Sequence, residues 1–211
     1  MNNTRSTNLN VFAVSAVVIS FEIVSTRVSS LIFVQNYAFI ILSLAILGLG
    51  SGGIYSFYRI KPEGGSAMGS RVLSRFILLS GLSLLTFVGL EIVFSITDSY
   101  IYFFLLFFPF FFAGIVYAEF FRNYASAGFR IYASDLIGAA AGSILSIYIF
   151  DLFNAVNAVL FLALVLFISS VHYFGIEKKK RTLLYGSLVF FVVLLAVFGR
   201  RDLLGKKRRK K

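Results

Sequence analysis

The 211-residue sequence contains no cysteine and no tryptophan, only two prolines, and a single histidine, His172. Without cysteine there is no disulfide, no thiolate metal site and no cysteine nucleophile. A single histidine also excludes a metal site built from several imidazoles. The sequence therefore predicts no metal ion, no cofactor and no catalytic residue, and an enzyme is the class of function that it favours least.

Charged residues are also scarce. They make up 14% of the chain, whereas 59% of the residues are hydrophobic and 18% are aromatic. Since about a quarter of the residues of a soluble domain are charged, this chain lacks the charge to cover a water-exposed surface. We expect its main partner to be the lipid bilayer.

Seven segments are long and apolar enough to cross a bilayer as helices, which takes about 20 residues for a hydrocarbon core about 30 Å thick. They cover residues 10–34, 37–60, 72–96, 100–120, 129–150, 153–174 and 182–198. Because lipid offers no hydrogen-bond partners to the backbone, these segments have to be helical. The sequence predicts an all-α integral membrane protein, a polytopic bundle of about seven transmembrane helices in one domain, residues 1–199, with a basic tail, residues 200–211. No internal repeat at a fixed period is visible.

Basic residues between the spans are confined to alternate connections. With the N-terminus inside, every basic residue in a connection lies in an inner one, and the three outer connections contain none. Positive charge favours the cytoplasmic side, so we expect a cell-membrane protein whose N-terminus and basic loops are cytoplasmic. Seven full spans place the basic tail outside, against the same rule, and the sequence leaves open whether the seventh span crosses fully. The tail is typical of contact with anionic lipid rather than with nucleic acid.

Five ionisable residues within the predicted spans are candidate site residues: Glu22, Arg27, Arg75, Glu91 and Asp135. A charge near the bilayer centre costs from about 3 kcal/mol on insertion scales to above about 10 kcal/mol in simulations, and Glu22 is the most central. Arg27 lies about 140° further round the same helix, so the two are not expected to pair. Their depths predict two interhelical ion pairs, Arg27–Glu91 and Arg75–Asp135. These five residues are either structural or form a site for a polar or cationic substrate.

Two spans contain small residues at four-residue spacing. These are Gly48 and Gly52 in the second span, continued by Ser56, and Gly138 and Gly142 in the fifth. Small side chains let two helices approach closely enough for dispersion contacts between their backbones. The sequence predicts helix packing at these glycines, and a homodimer through the second or fifth span is compatible with the same pattern.

The fourth span has two further features. Pro109 removes one backbone hydrogen bond near the middle of the span, which predicts a kink. Glu119 and Arg122 lie near its cytoplasmic end, where we expect them either to form a structural ion pair or to extend to the headgroup interface.

Four segments, in order along the chain, resemble the membrane region of bacterial and archaeal spermidine synthase-like proteins, a transporter-like module. They are residues 22–27 (Glu-Ile-Val-Ser-Thr-Arg), 47–53 (Leu-Gly-Leu-Gly-Ser-Gly-Gly), 109–114 (Pro-Phe-Phe-Phe-Ala-Gly) and 132–142 (Tyr-Ala-Ser-Asp-Leu-Ile-Gly-Ala-Ala-Ala-Gly). The resemblance covers about residues 10–165. Full-length members of this family continue into a Rossmann-like aminopropyltransferase domain, and nothing after the last span of this chain resembles one.

The resemblance implies a membrane module without aminopropyltransferase activity. A separately encoded, soluble aminopropyltransferase-like subunit is then an expected partner. Two functions stay open. One is the binding or translocation of a small polar or cationic molecule, such as a polyamine, at Glu22 with Asp135 or Glu91. The other is a membrane anchor for a soluble synthase or another partner, without transport.

Overall fold

A computed structural model describes residues 2–32, 38–59, 66–94, 99–152 and 155–173. This part of the chain is all-helical, with no strand, as the sequence predicts. Its six helices are α1 (Asn2–Ile32), α2 (Ala38–Arg59), α3 (Ser66–Phe94), α4 (Ser99–Asn123), α5 (Gly128–Leu152) and α6 (Ala155–Tyr173). A short 3₁₀ turn, Ala125–Ala127, joins α4 to α5. The predicted seventh span, residues 182–198, and the basic tail lie outside the described residues.

Five of these helices are long and apolar enough to cross a membrane. The apolar stretches are Thr7–Ser30, Ala38–Arg59, Val72–Leu90, Tyr100–Asn123 and Gly128–Ile149. The sixth helix has a shorter apolar stretch, Ala155–Val171. The chain therefore has the helices of a multi-pass membrane protein, and the predicted count of seven spans is not confirmed. The first helix also begins well before residue 10, because the polar N-terminal residues continue it.

The helices pack around a central group of four. The first helix, α1, packs on α5 and α6, whereas α4 packs on α2 and α3, and α3 packs on α6. The core contains an aromatic cluster in which the ring centroid of Phe21 lies 5.9 Å from that of Phe87 and 5.4 Å from that of Phe110. This arrangement leaves α2 and α5 on the outside of the bundle, each attached mainly to one neighbour.

The outer helices have apolar, exposed surfaces. Only 22% of the apolar membrane-spanning segment of α2 is buried, and the same fraction of that of α5, against 56% for α1. Phe39, Ile46 and Phe57 on α2 and Leu136 and Ile144 on α5 are among their exposed side chains. Apolar surface of this extent on long apolar helices fits a lipid environment.

The glycines of α2 and α5 lie at the closest helix contacts in the bundle. A Cβ added to Gly52 would collide with the carbonyl oxygen of Phe111, and one on Gly142 with the carbonyl oxygen of Ala16. We call the contact of Gly48, Gly52 and Ser56 with α4 the α2–α4 seam, and that of Gly138, Gly142 and Ser146 with α1 the α1–α5 seam. Both stripes are filled by helices of the same chain, so a homodimer, which stays a prediction, would use other faces.

The fourth helix runs continuously through Pro109. The proline is buried, and the Ser80 hydroxyl of α3 lies 3.4 Å from its carbonyl oxygen. A kink at this position stays a prediction.

Candidate functional site

Three polar residues of α1 lie on one stripe of the helix. Ser15, Glu22 and Ser29 are seven residues apart, so each lies about 10 Å further along the helix axis with only a small rotation. The two serines are fully buried and bond to tyrosines of α4: the Tyr117 hydroxyl donates to Ser15 at 3.0 Å, and Ser29 donates to the Tyr102 hydroxyl at 3.2 Å. Glu22 therefore lies midway along the stripe of α1 that faces α4.

The Glu22 side chain is only half-buried. Its carboxylate has no hydrogen bond and no ion pair to any described side chain, and only its backbone carbonyl accepts a bond, from Thr26 at 2.8 Å. Arg27 is also half-buried, but the two residues do not pair, as their positions around the helix predict. Glu22 thus lies within an apolar span, at the edge of the α1–α4 contact, with its charge uncompensated by the described side chains.

Asp135 of α5 is part of a polar cluster that joins three helices. The Ser15 hydroxyl donates a hydrogen bond to the Asp135 carboxylate, and the Tyr117 hydroxyl donates to Ser15. The cluster therefore connects α4 to α1 and α1 to α5. The sequence singled out Asp135, but Ser15 and Tyr117 were missed because single hydroxyls in apolar spans are common and have no distinctive spacing.

The predicted ion pair between Arg75 and Asp135 is wrong. Arg75 is exposed on α3, whereas Asp135 lies on α5 and accepts its hydrogen bond from Ser15. The central helices separate α3 from α5, since α3 packs on α4 and α6 whereas α5 packs mainly on α1. Depth in the bilayer was a sound criterion, but it did not show which helices are neighbours.

The second predicted pair, Arg27–Glu91, involves the side chain of Glu91, which lies outside the part of the structure that is described. The same holds for the side chain of His172. Glu91 and Arg27 therefore remain predicted site residues.

The best-compensated charge in the described bundle is Glu119, which is 1% exposed. The Arg122 guanidinium Nη2 lies 2.5 Å from one carboxylate oxygen and 2.6 Å from the other, and Asn123 donates to the carboxylate at 3.3 Å. Across the α2–α4 seam, Ser56 donates to it at 2.6 Å, and Arg122 also donates to the backbone carbonyl of Ser56 at 3.4 Å. We call these four residues the Glu119 cluster.

Of the two expectations for Glu119, the structural ion pair with Arg122 is confirmed, whereas extension to the headgroup interface is not. Its carboxylate is held inside the bundle because three side chains, those of Ser56, Arg122 and Asn123, donate to it. The sequence did contain one signal: Ser56 continues the four-residue stripe of Gly48 and Gly52, so its hydroxyl had to face the same neighbouring helix. A buried hydroxyl at such a contact favours a polar partner across it.

No group of three or more His, Cys, Asp or Glu side chains that might hold a metal occurs among the described residues. Comparisons with models of protein families, with curated proteins and with solved structures find no match for the chain. The candidate site is therefore defined by its own geometry. It consists of a lone carboxylate, Glu22, about 10 Å along the same stripe of α1 from the Ser15–Tyr117–Asp135 cluster.

Proposed function

We propose that the bundle binds and carries across the membrane a small cationic molecule, such as a polyamine. In this proposal the Glu22 carboxylate of the protein contacts an ammonium group of the bound molecule. This proposal agrees with the resemblance of the sequence to the membrane region of spermidine synthase-like proteins. The argument for it starts from the three acidic side chains that are described within the spans.

The observation that supports the proposal is the contrast between Glu22 and the other two acids. Glu119 is neutralised by Arg122 and Asp135 accepts a hydrogen bond from Ser15, whereas Glu22 has no partner among the described side chains. An acidic group near the bilayer centre costs about 3 kcal/mol or more, so an uncompensated one is a functional candidate by default. A bound cation would supply the missing charge, because a desolvated carboxylate attracts an ammonium strongly.

Binding of labelled spermidine to the purified protein in lipid nanodiscs tests this function. We expect wild type to bind and Glu22→Gln to bind at least about tenfold more weakly, a loss of about 1.4 kcal/mol. Glu22→Asp is the matched control, because it keeps the charge while shortening the side chain, and it should recover most of the affinity. Equal binding by wild type and Glu22→Gln would remove the carboxylate from the site.

The second function expected from the sequence, a membrane anchor, predicts a different outcome of the same experiment. A pure anchor binds no spermidine in any of the three variants. It would instead retain a soluble aminopropyltransferase during purification from the native membrane. These two results together would replace transport by anchoring.

A further inference from the structure

The two glycine seams have the same register. Each residue of the α2–α4 seam has a counterpart in the α1–α5 seam that lies 90 residues later in the chain. The matched residues are Gly48 with Gly138, Gly52 with Gly142, and Ser56 with Ser146. All six are buried against the neighbouring helix.

The helices opposite the seams are matched in the same way. Gly52 faces the carbonyl oxygen of Phe111 and Gly142 faces that of Ala16, while Gly48 and Gly138 face the carbonyl oxygens of Phe107 and Phe12. In both cases the residue of α4 follows the residue of α1 by 95 positions. At the same spacing Arg122 corresponds to Arg27, an identity in a chain with few charges.

The remaining helix contacts fall into matched sets when α1, α2 and α3 are compared with α4, α5 and α6. The contact of α1 with α5 corresponds to that of α4 with α2, and the contact of α1 with α6 to that of α4 with α3. The contacts of α3 with α6 and of α1 with α4 correspond to themselves. A two-fold relation between two three-helix units produces this pattern.

The contact between α3 and α6 supports the relation independently. Ser74 and Ser170 share hydrogen bonds of 3.2 and 3.0 Å, and a Cβ on Gly81 would lie 3.7 Å from the carbonyl oxygen of Ala163. At a spacing of 89 residues, Ser74 corresponds to Ala163 and Gly81 corresponds to Ser170. The contact between Ser74 and Ser170 is therefore equivalent to the contact between Ala163 and Gly81. The two units therefore match in all three helices.

The two units run in opposite directions. Along α1, Ser15, Phe21 and Ser29 contact Tyr117, Phe110 and Tyr102 of α4 in turn. Residue numbers rise on α1 as they fall on α4, so the first helices of the two units are antiparallel. The relation is thus an inverted one, with its axis in the membrane plane.

We infer that α1–α3 and α4–α6 form an inverted repeat and that the ligand site lies on the axis between α1 and α4. The axis crosses these helices near Val18 and Ala113, which are both buried. On either side of it, Glu22 and Tyr117 occupy equivalent positions. Carriers built from inverted repeats bind their substrates near the bilayer midplane at the repeat interface and open to the two sides in turn.

The repeat was invisible in the sequence for two reasons. The spacing differs between helices, since it is 95 residues for the first helix of each unit and 90 for the second. The side chains that coincide are small ones at the seams and a single arginine, whereas lipid-facing positions exchange freely among apolar residues. Packing contacts preserve the relation because they depend on backbone approach.

This inference extends the proposed function by stating how access to the site is divided between the two membrane faces. The half-buried residues Ile23 and Ala118, next to Glu22 and Tyr117, are equivalent positions of the two units. Water should reach Ile23 from one side of the membrane and Ala118 from the other. The absence of native cysteine makes single-cysteine labelling a direct probe of this arrangement.

The test uses the variants Ile23→Cys and Ala118→Cys of the full chain in right-side-out and inside-out vesicles, with a membrane-impermeant maleimide. We expect each variant to be labelled at least about fivefold faster in one vesicle orientation, with opposite preference, and spermidine to slow both. The matched controls Ile46→Cys and Leu136→Cys, exposed and equivalent on α2 and α5, should label in neither orientation.

Labelling of both variants from the same side, or of neither above the controls, would overturn the inverted repeat as the basis of access. Opposite sidedness without protection by spermidine would support the repeat and count against the polyamine ligand. The two proposals therefore fail in distinguishable ways.

Discussion

The Ser56 hydroxyl of α2 donates a 2.6 Å hydrogen bond to the carboxylate of Glu119 in α4, at the end of the α2–α4 seam. The equivalent residue of the α1–α5 seam, Ser146, donates at 2.7 Å to the carbonyl oxygen of Ser143 in its own helix. Two buried serines at matched positions thus differ in one respect. One stabilises a charge across the helix contact and the other does not.

This difference predicts unequal effects of two alanine substitutions. Ser56→Ala removes a donor from a buried carboxylate and should lower the free energy of unfolding by about 1–3 kcal/mol. Ser146→Ala is the matched control and should change it by no more than about 0.5 kcal/mol. Equilibrium unfolding in mixed micelles, followed by circular dichroism, measures both. Equal losses would show that the bond to Glu119 contributes nothing.

The ion pair between Arg122 and Glu119 predicts strong coupling. Arg122→Gln leaves a buried carboxylate without its cation and should cost about 3–5 kcal/mol of stability. The double variant Glu119→Gln, Arg122→Gln should be more stable than Arg122→Gln alone, because it removes the uncompensated charge. A double-mutant cycle from the same unfolding experiment gives the coupling energy, and additive effects would argue against the pair.

The close contact at Gly52 predicts a position-specific effect of a single methyl group. A Cβ there meets the backbone of Phe111, which has no room to yield, so Gly52→Ala should cost about 1–3 kcal/mol. Nothing lies within 4 Å of a Cβ on Gly50, which makes Gly50→Ala the matched control in the same helix. Similar stability of the two variants would contradict the described seam.

The position of Asp135 predicts that it and Arg75 are energetically independent. Asp135→Asn weakens the charge-assisted bond from Ser15 and should cost about 1.5–3 kcal/mol. Arg75→Gln changes an exposed side chain and should leave stability within about 0.5 kcal/mol of wild type. A comparable loss in both variants, with coupling in the double variant, would restore the ion pair that the sequence suggested.

Composition and hydropathy were sufficient for the fold class, because apolar segments of membrane-spanning length have only one way to satisfy their backbone. The four-residue spacing of Gly48 and Gly52 likewise marked a real packing surface, since close backbone approach requires small residues. The count of seven spans went beyond what the described helices confirm.

Contacts between helices were not predictable in the same way. Arg75 and Asp135 lie at a similar predicted depth, but they belong to helices that the central bundle separates. Depth alone does not show which helices are neighbours. For Glu119 the sequence left an ion pair and the headgroup interface both open, because one of its three donors, Ser56, comes from α2 and the other two from the following turn of α4. Pairing of charges in a bundle depends on which faces meet, and one sequence does not contain that information.

The most direct test of the account is spermidine uptake into proteoliposomes that contain the full chain, compared for wild type, Glu22→Gln and Glu22→Asp. We predict saturable uptake by wild type, partial uptake by the aspartate variant, and a loss of at least about tenfold in the glutamine variant at equal protein incorporation. Undiminished uptake by Glu22→Gln would contradict the central claim that the uncompensated carboxylate of α1 binds the transported cation.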